Sequence, residues 1–102
     1  MDADVRVEHR PDERRYVLLV DGEGAGELVY RDRGGGVLAF LHTEVDPAQR
    51  LRGLGSQLVG AALDDARERG LRVVPICPFV DAYVRGHPEY GALVADDPAR
   101  RG

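Results

Sequence analysis

Between Val37 and Gly70 the chain reads Val37-Leu38-Ala39-Phe40-Leu41-His42-Thr43-Glu44-Val45-Asp46, then Pro47-Ala48-Gln49-Arg50-Leu51-Arg52, then Gly53-Leu54-Gly55-Ser56-Gln57-Leu58-Val59-Gly60-Ala61-Ala62-Leu63-Asp64-Asp65-Ala66-Arg67-Glu68-Arg69-Gly70. The first piece is apolar on both faces up to Leu41, as a central strand covered on both sides must be. In the last piece the period changes. Leu54, Leu58, Val59, Ala62, Leu63 and Ala66 recur at spacings of three and four, which places them on one face of a helix over Gly53–Arg69. Gln57, Asp64, Arg67 and Glu68 take the opposite face, and Gly70 suits the residue just past the helix end. A buried strand thus runs through a short loop into an amphipathic helix.

Working outward, the N-terminal side reads as strands. Val5–Glu8 alternates at period two, Pro11-Asp12-Glu13 supplies a turn, and Tyr16–Val20 is rich in strand-forming residues. Asp21-Gly22 has hairpin-turn chemistry, Ala25–Arg31 is a third strand, and Asp32–Gly36 is a glycine-rich turn. On the C-terminal side, Leu71–Cys77 reads as a short fifth strand and Phe79–Arg85 as a second helix. His87–Tyr90 forms a turn, Ala92–Val94 closes the sheet, and Ala95–Gly102 is frayed. The 46-to-71 connection is long enough for a crossover, so strands four and five are expected to be parallel. The fold class is α/β, with a mixed sheet made of an antiparallel meander and one parallel pair. A single domain spans residues 1–102.

Composition bounds the chemistry. The 102 residues carry 14 basic and 18 acidic groups, a net charge of −4, which argues against a nucleic-acid partner. Every basic residue is arginine, so a P-loop lysine, a Schiff-base lysine and a lysine general base are all excluded. The lone Cys77 rules out an internal disulfide. His9, His42 and His87 are scattered, and no metal site is expected. The uncharged runs Gly34–His42 and Gly53–Leu63 fall short of the ~20 apolar residues of a membrane span, and no signal peptide is visible. The expected location is the cytoplasm.

Chemistry concentrates at the loop-to-helix junction. Gly53 and Gly55 let backbone N–H groups approach a ligand without intervening side chains. The helix N-terminus adds unpaired donors and positive dipole, which together suit a phosphate or pyrophosphate. Arg50 and Arg52 add charge at the rim. A Rossmann fingerprint would need glycine where Leu58 stands, and Ser56 lacks the glycine pattern of a nucleophile elbow.

Arg50-x-x-Gly53-x-Gly55 resembles the acetyl-CoA motif of the GNAT N-acetyltransferase superfamily, and its position after a buried fourth strand matches as well. Pro75-Ile76-Cys77, Tyr83 and His87-Pro88-Glu89-Tyr90 resemble the short single-domain members of the YjdJ type. The resemblance implies a minimal GNAT-like fold in which strands four and five splay and the pantetheine of acetyl-CoA lies between them. It pairs with backbone of His42, Thr43, Glu44 and Val45, and the N–H groups of Arg52, Gly53, Leu54, Gly55 and Ser56 hold the pyrophosphate. An N–H near Glu44 or Val45 would face the thioester oxygen. Larger members insert helices between the first two strands. Here only a few residues around Pro11–Arg14 separate them, so the acceptor side should be open.

For acetyl transfer to an amine, the candidate general bases are Glu44 and His42, which alternate onto one face of strand four. Tyr83 is the candidate proton donor to the leaving thiolate. Cys77 is the candidate for a covalent relay, and both Cys77 and Tyr83 count among the expected acetyl-CoA contacts. The activity implied is acetyl-CoA-dependent N-acetyl transfer to a small or peptide amine, in a monomer or homodimer without nucleic-acid or membrane partner. The alternative is a non-catalytic acyl-CoA-binding or protein-interaction module.

Overall fold

A computed structural model describes residues 4–48 and 53–95. Strands β1 (Val5–Arg10), β2 (Arg15–Val20), β3 (Glu23–Gly34) and β4 (Val37–Val45) form an antiparallel meander. The chain then forms helix α1 (Leu54–Glu68), strand β5 (Arg72–Pro75) and helix α2 (Pro78–Gly86). The sheet order is β1-β2-β3-β4-β5, with β4 and β5 parallel, as the crossover length requires. The β2–β3 turn places Asp21 and Gly22 both at positive φ, the primed geometry that matches strand twist.

Leu54, Leu58, Val59, Ala62, Leu63 and Ala66 of α1 are all buried, as their spacing predicts. They pack on Tyr16, Leu18, Leu28 and Phe40 of the sheet, and Val80 and Val84 of α2 join the same core. Both helices therefore cover one face. Among the described residues, the other face carries a small cluster of Ala39, Val74 and Ala95 with Val37, Leu41 and Ile76, and no helical residue belongs to it.

Two local departures from a regular sheet shape the edge of β4. First, the strand carries a bulge: Tyr30 pairs with Phe40 and Val29 with His42, which leaves Leu41 as the extra residue. Leu38 and Phe40 point to the helix side before the bulge, and Val45 does so after it. Strict alternation would carry His42 and Glu44 into the core. The extra residue turns them to the helix-free face and spares the fold a buried ion pair, which costs several kcal/mol per ion. Second, β4 and β5 part early. Their pairing ends at Phe40 and Pro75, and Cys77 N–H donates to Phe40 O at 2.9 Å as the last link. Pro75 and Pro78 have no N–H to extend the ladder. The strand expected over Leu71–Cys77 is accordingly shorter.

The C-terminal end differs from expectation too. Pro88–Leu93 winds as a 3-10 helix, so the strand expected at Ala92–Val94 reduces to one parallel bridge between Val73 and Val94. Tyr90 explains the winding: its hydroxyl donates to Asp64 Oδ1 of α1 at 2.7 Å, which pins the segment onto the helix. The expectation for the end of the chain falls, beyond Ala95, outside the described residues.

The far end of α1 is anchored by a polar cluster. Tyr16 Oη donates to Asp65 Oδ2 at 2.7 Å, His9 Nε2 meets Tyr30 Oη at 2.7 Å, and His9 Nδ1 lies 3.5 Å from Asp65. Burial lowers the His9 pKa below its usual value, against the pull of Asp65. The unfolded chain therefore binds the His9 proton more tightly than the folded one, and stability is lost as pH falls through the usual imidazole range. The urea midpoint should drop between pH 7.5 and 5.5, and His9→Gln should shrink that drop. A second expectation concerns the β3–β4 approach. A Cβ on Gly26 would sit 2.7 Å from Glu44 O and 3.2 Å from Val45 Cα. Gly26→Ala should cost about 1–3 kcal/mol in denaturant titration, because backbone must move.

Candidate acyl-coenzyme site

Beyond Phe40, the β5-facing edge of β4 has no strand beside it among the described residues. The space opened there is a cavity of about 530 Å³ lined by His42, Thr43, Glu44, Val45, Gly53, Gly55, Ser56 and Phe79. It joins the free edge of β4 to the first turn of α1. Gly53 caps that helix in the left-handed region (φ 68°), with no side-chain cap and no acidic residue in the first turn. Among the described residues, the opening N–H groups, which no helix can satisfy from within, thus have no side-chain cap, and the first turn holds no competing carboxylate. An anion is the ligand such a terminus favours.

Side chains are also kept out of the way. A Cβ on Gly55 would stand 3.1 Å from Cζ of Phe79, so the ring leans directly on this glycine. Phe79 is 46% exposed, the one large hydrophobic so exposed among the described residues. It stands on the first turn of α2, at the cavity rim. Residue spacing gave no sign of it. A lone aromatic after Pro78 reads as core until the partner glycine is known.

The candidate residues divide. His42, Thr43, Glu44, Val45, Gly53, Gly55 and Ser56 line the cavity. Leu54 is buried in the core beneath it. Arg50 and Arg52 lie outside the described residues. His42 Nε2 and Glu44 Oε2 are 3.7 Å apart with both side chains largely exposed, an arrangement that adds little to stability. Cys77 does not line the cavity. It is buried, and its thiol donates to Thr43 Oγ1 at 3.5 Å, which links it to a residue that does.

Tyr83 also stands away from the lining. Its hydroxyl lies 2.7 Å from where a Cβ on Gly60 would be, so it abuts α1, while its ring stacks on His87 at 3.9 Å. Burial first, then the Asp64 and Glu89 carboxylates, push its phenol above the ordinary range, although Tyr90 pulls the other way. His87 Nδ1 meets Tyr83 O at 2.7 Å. The segment from His87 to Tyr90 thus braces α2 instead of lining the cleft. No group of three metal-ligating side chains occurs among the described residues, and no described helix is long and apolar enough to cross a membrane.

Residues 15–93 match the sequence profile of the GCN5-related N-acetyl-transferase family. The chain is 33% identical over 85 residues to Protein NATD1 of Mus musculus, covering 82% of this chain and 77% of that protein. Protein NATD1 of Homo sapiens shows the same identity, across 75% of its length. Among solved structures, a GCN5-like protein from Staphylococcus aureus shares the fold. Its TM-score is 0.68 over 94% of this chain and 93% of its own, at 18% identity. Ard1 from Thermoplasma volcanium gives a TM-score of 0.55 at 28% identity, over 78% of this chain and 55% of its own.

The burial of Cys77 has a measurable consequence. A thiol reagent should label it at least about 100-fold more slowly in the folded protein than in urea, since labelling requires local opening. Labelling at the unfolded rate would show that the thiol reaches the surface and would restore a covalent relay.

Proposed function

Because the chain belongs to the GCN5-related N-acetyltransferase family, we propose that it binds acetyl-CoA in the cavity between β4 and α1 and transfers the acetyl group to a primary amine by direct attack. The observation that carries this reading is the pairing of an uncapped, glycine-lined helix start with the partnerless edge of β4, inside one cavity. The N–H groups from Gly53 to Ser56 suit the pyrophosphate, and β4 from His42 to Val45 suits the pantetheine amides. Phe79 offers an apolar face at the mouth. Acetyl-CoA supplies the activated acyl group, and every other role falls to the chain. A backbone N–H near Glu44 or Val45 is the donor for the oxygen that gains charge in the transition state. Glu44, on an exposed strand position at the cavity wall, is the base we assign, with His42 beside it.

Tyr83 remains a proposed proton donor only if its hydroxyl leaves Gly60. One observation therefore favours a second reading, a module that binds acyl-CoA without efficient turnover: among the described residues, neither a tyrosine nor a cysteine lines the cavity to protonate the leaving thiolate.

Calorimetric titration with acetyl-CoA tests the shared premise. Binding should raise stability by about 2.7 kcal/mol at a hundred times Kd. Gly55→Ala should weaken binding about tenfold or more while melting close to wild type. Its added methyl meets Phe79, and alanine in a helix recovers up to about 1 kcal/mol. Glu44→Gln separates the readings: loss of a general base should lower kcat by about 10²–10⁴ with acetyl-CoA affinity intact. An unchanged slow rate would favour the binding module.

A further inference from the structure

A second cavity, of about 540 Å³, opens on the helix-free side of the sheet, with Arg15, Val17, Leu19, Glu27, Glu44 and Asp46 among its walls. It meets the first at Glu44 and Val45, which line both. The short β1–β2 connection leaves this face without a helix over it among the described residues. The strand register defines the floor. Val17 pairs with Glu27, and Glu27 pairs with Glu44, so two carboxylates stand directly opposite each other on one face. Like charges so placed repel.

The local cations do not relieve this evenly. Arg15 Nη1 donates to Glu27 at 2.7 Å and Arg15 also pairs with Glu13, while Arg10 pairs with Glu8 at 3.2 Å. Among the described residues, Glu44 pairs with His42 alone, at 3.7 Å. Asp46 Oδ1 accepts the Ala48 N–H at 3.0 Å. Arg15 is thus committed to Glu27 and Glu13, and Arg10 to Glu8, so among the described residues the Glu44 carboxylate on the wall shared with the first cavity has no arginine beside it. Beside it lie the apolar side chains of Val17 and Leu19.

We propose that this second cavity holds the acceptor, and that the acceptor is a primary ammonium on a slim aliphatic chain, a small alkylamine or diamine. This rests on the acetyl-CoA reading of the first cavity. The nitrogen sits against Glu44, the carboxylate with no arginine beside it among the described residues, and the methylenes lie over Val17 and Leu19. The ammonium gives one proton to the Glu44 carboxylate, which passes it to water. The freed nitrogen lone pair forms the C–N bond to the acetyl carbonyl as the C–S bond breaks. The second nitrogen proton ends on the departing thiolate, so the products are the amide and free CoA. A zwitterionic acceptor fits less well, since its carboxylate would face Glu44 and Asp46 with both arginines already engaged. An extended peptide would find a sheet face here, with the free edge of β4 given over to the pantetheine.

The probe is 1,4-diaminobutane. Alone, it should shift the amide resonances of Val17, Glu27 and Glu44, whether or not acetyl-CoA binds. Failure here is therefore distinct from failure of the acetyl-CoA reading, which calorimetry reports. With acetyl-CoA present, the diamine and butylamine should support turnover and glycine should not. Glu27→Gln, which frees the Arg15 guanidinium to face the ammonium beside Glu44, should raise the diamine KM about tenfold, with acetyl-CoA affinity unchanged. Leu19→Arg, at a half-buried position that tolerates a long side chain, should do the same. Shifts confined to other residues, KM values within twofold of wild type in both variants, or turnover of a free-amine peptide but not the diamine would each overturn the proposal.

Discussion

The constraint on which the site depends is one extra residue in a central strand. A β-strand is committed to a period of two, and β4 must bury Leu38 and Phe40 on the helix side. It must also present polar side chains four residues later without drowning them. Inserting Leu41 between the Phe40 and His42 pairings resolves the conflict. From that point Thr43 and Val45 face the helices and His42 and Glu44 face away. The same bend coincides with the end of β5 pairing, so a change of facing and a loss of neighbour occur at one place. Both are backbone effects, and they generate a cleft and its polar wall together.

The prolines complete the arrangement from the other strand. Pro75 lies opposite Phe40 and has no N–H, and Pro78 opens α2 two residues after Ile76. Between them the chain makes a single further link, Cys77 N–H to Phe40 O. A β5 with ordinary amides would be free to continue alongside β4 and close the gap. α2 instead turns back over α1, where Val80 and Val84 enter the helix-side core and carry Phe79 to the rim.

Much of this was legible in the residues. The three-and-four spacing from Leu54 to Ala66 located α1 and its buried face, and the length between Asp46 and Leu71 required a parallel fifth strand. The cavity-lining glycines were visible because two glycines two apart at a helix start suit a close backbone approach. What could not be read were pairings between distant segments. Nothing local to Leu41 marks it as a bulge, since its neighbours are ordinary strand formers, and only the register against Val29 and Tyr30 reveals it. Phe79 depends on Gly55, 24 positions earlier. Tyr83 depends on Gly60, whose missing side chain receives its hydroxyl. The strand expected at Ala92–Val94 lost to a tertiary contact, the hydrogen bond from Tyr90 to Asp64.

On the proposed chemistry, the absence of a described tyrosine or cysteine from the cavity wall is consistent with the proton balance. An ammonium acceptor arrives with two protons to lose before it becomes an amide. One must leave before attack, because only the neutral amine carries a lone pair, and a carboxylate at the shared wall receives it. The other becomes strongly acidic once the C–N bond forms, and it departs from an atom bonded to the same carbon as the sulfur. A thiolate is a weaker base than an amine, yet it is basic enough to take a proton from that cationic intermediate directly or through one water. A separate phenol is then unnecessary for completing the transfer, and Tyr83 is free to serve packing between α1 and α2. The demand on the protein falls instead on the first proton, and so on the carboxylate that the bulge of β4 holds at the boundary of the two cavities.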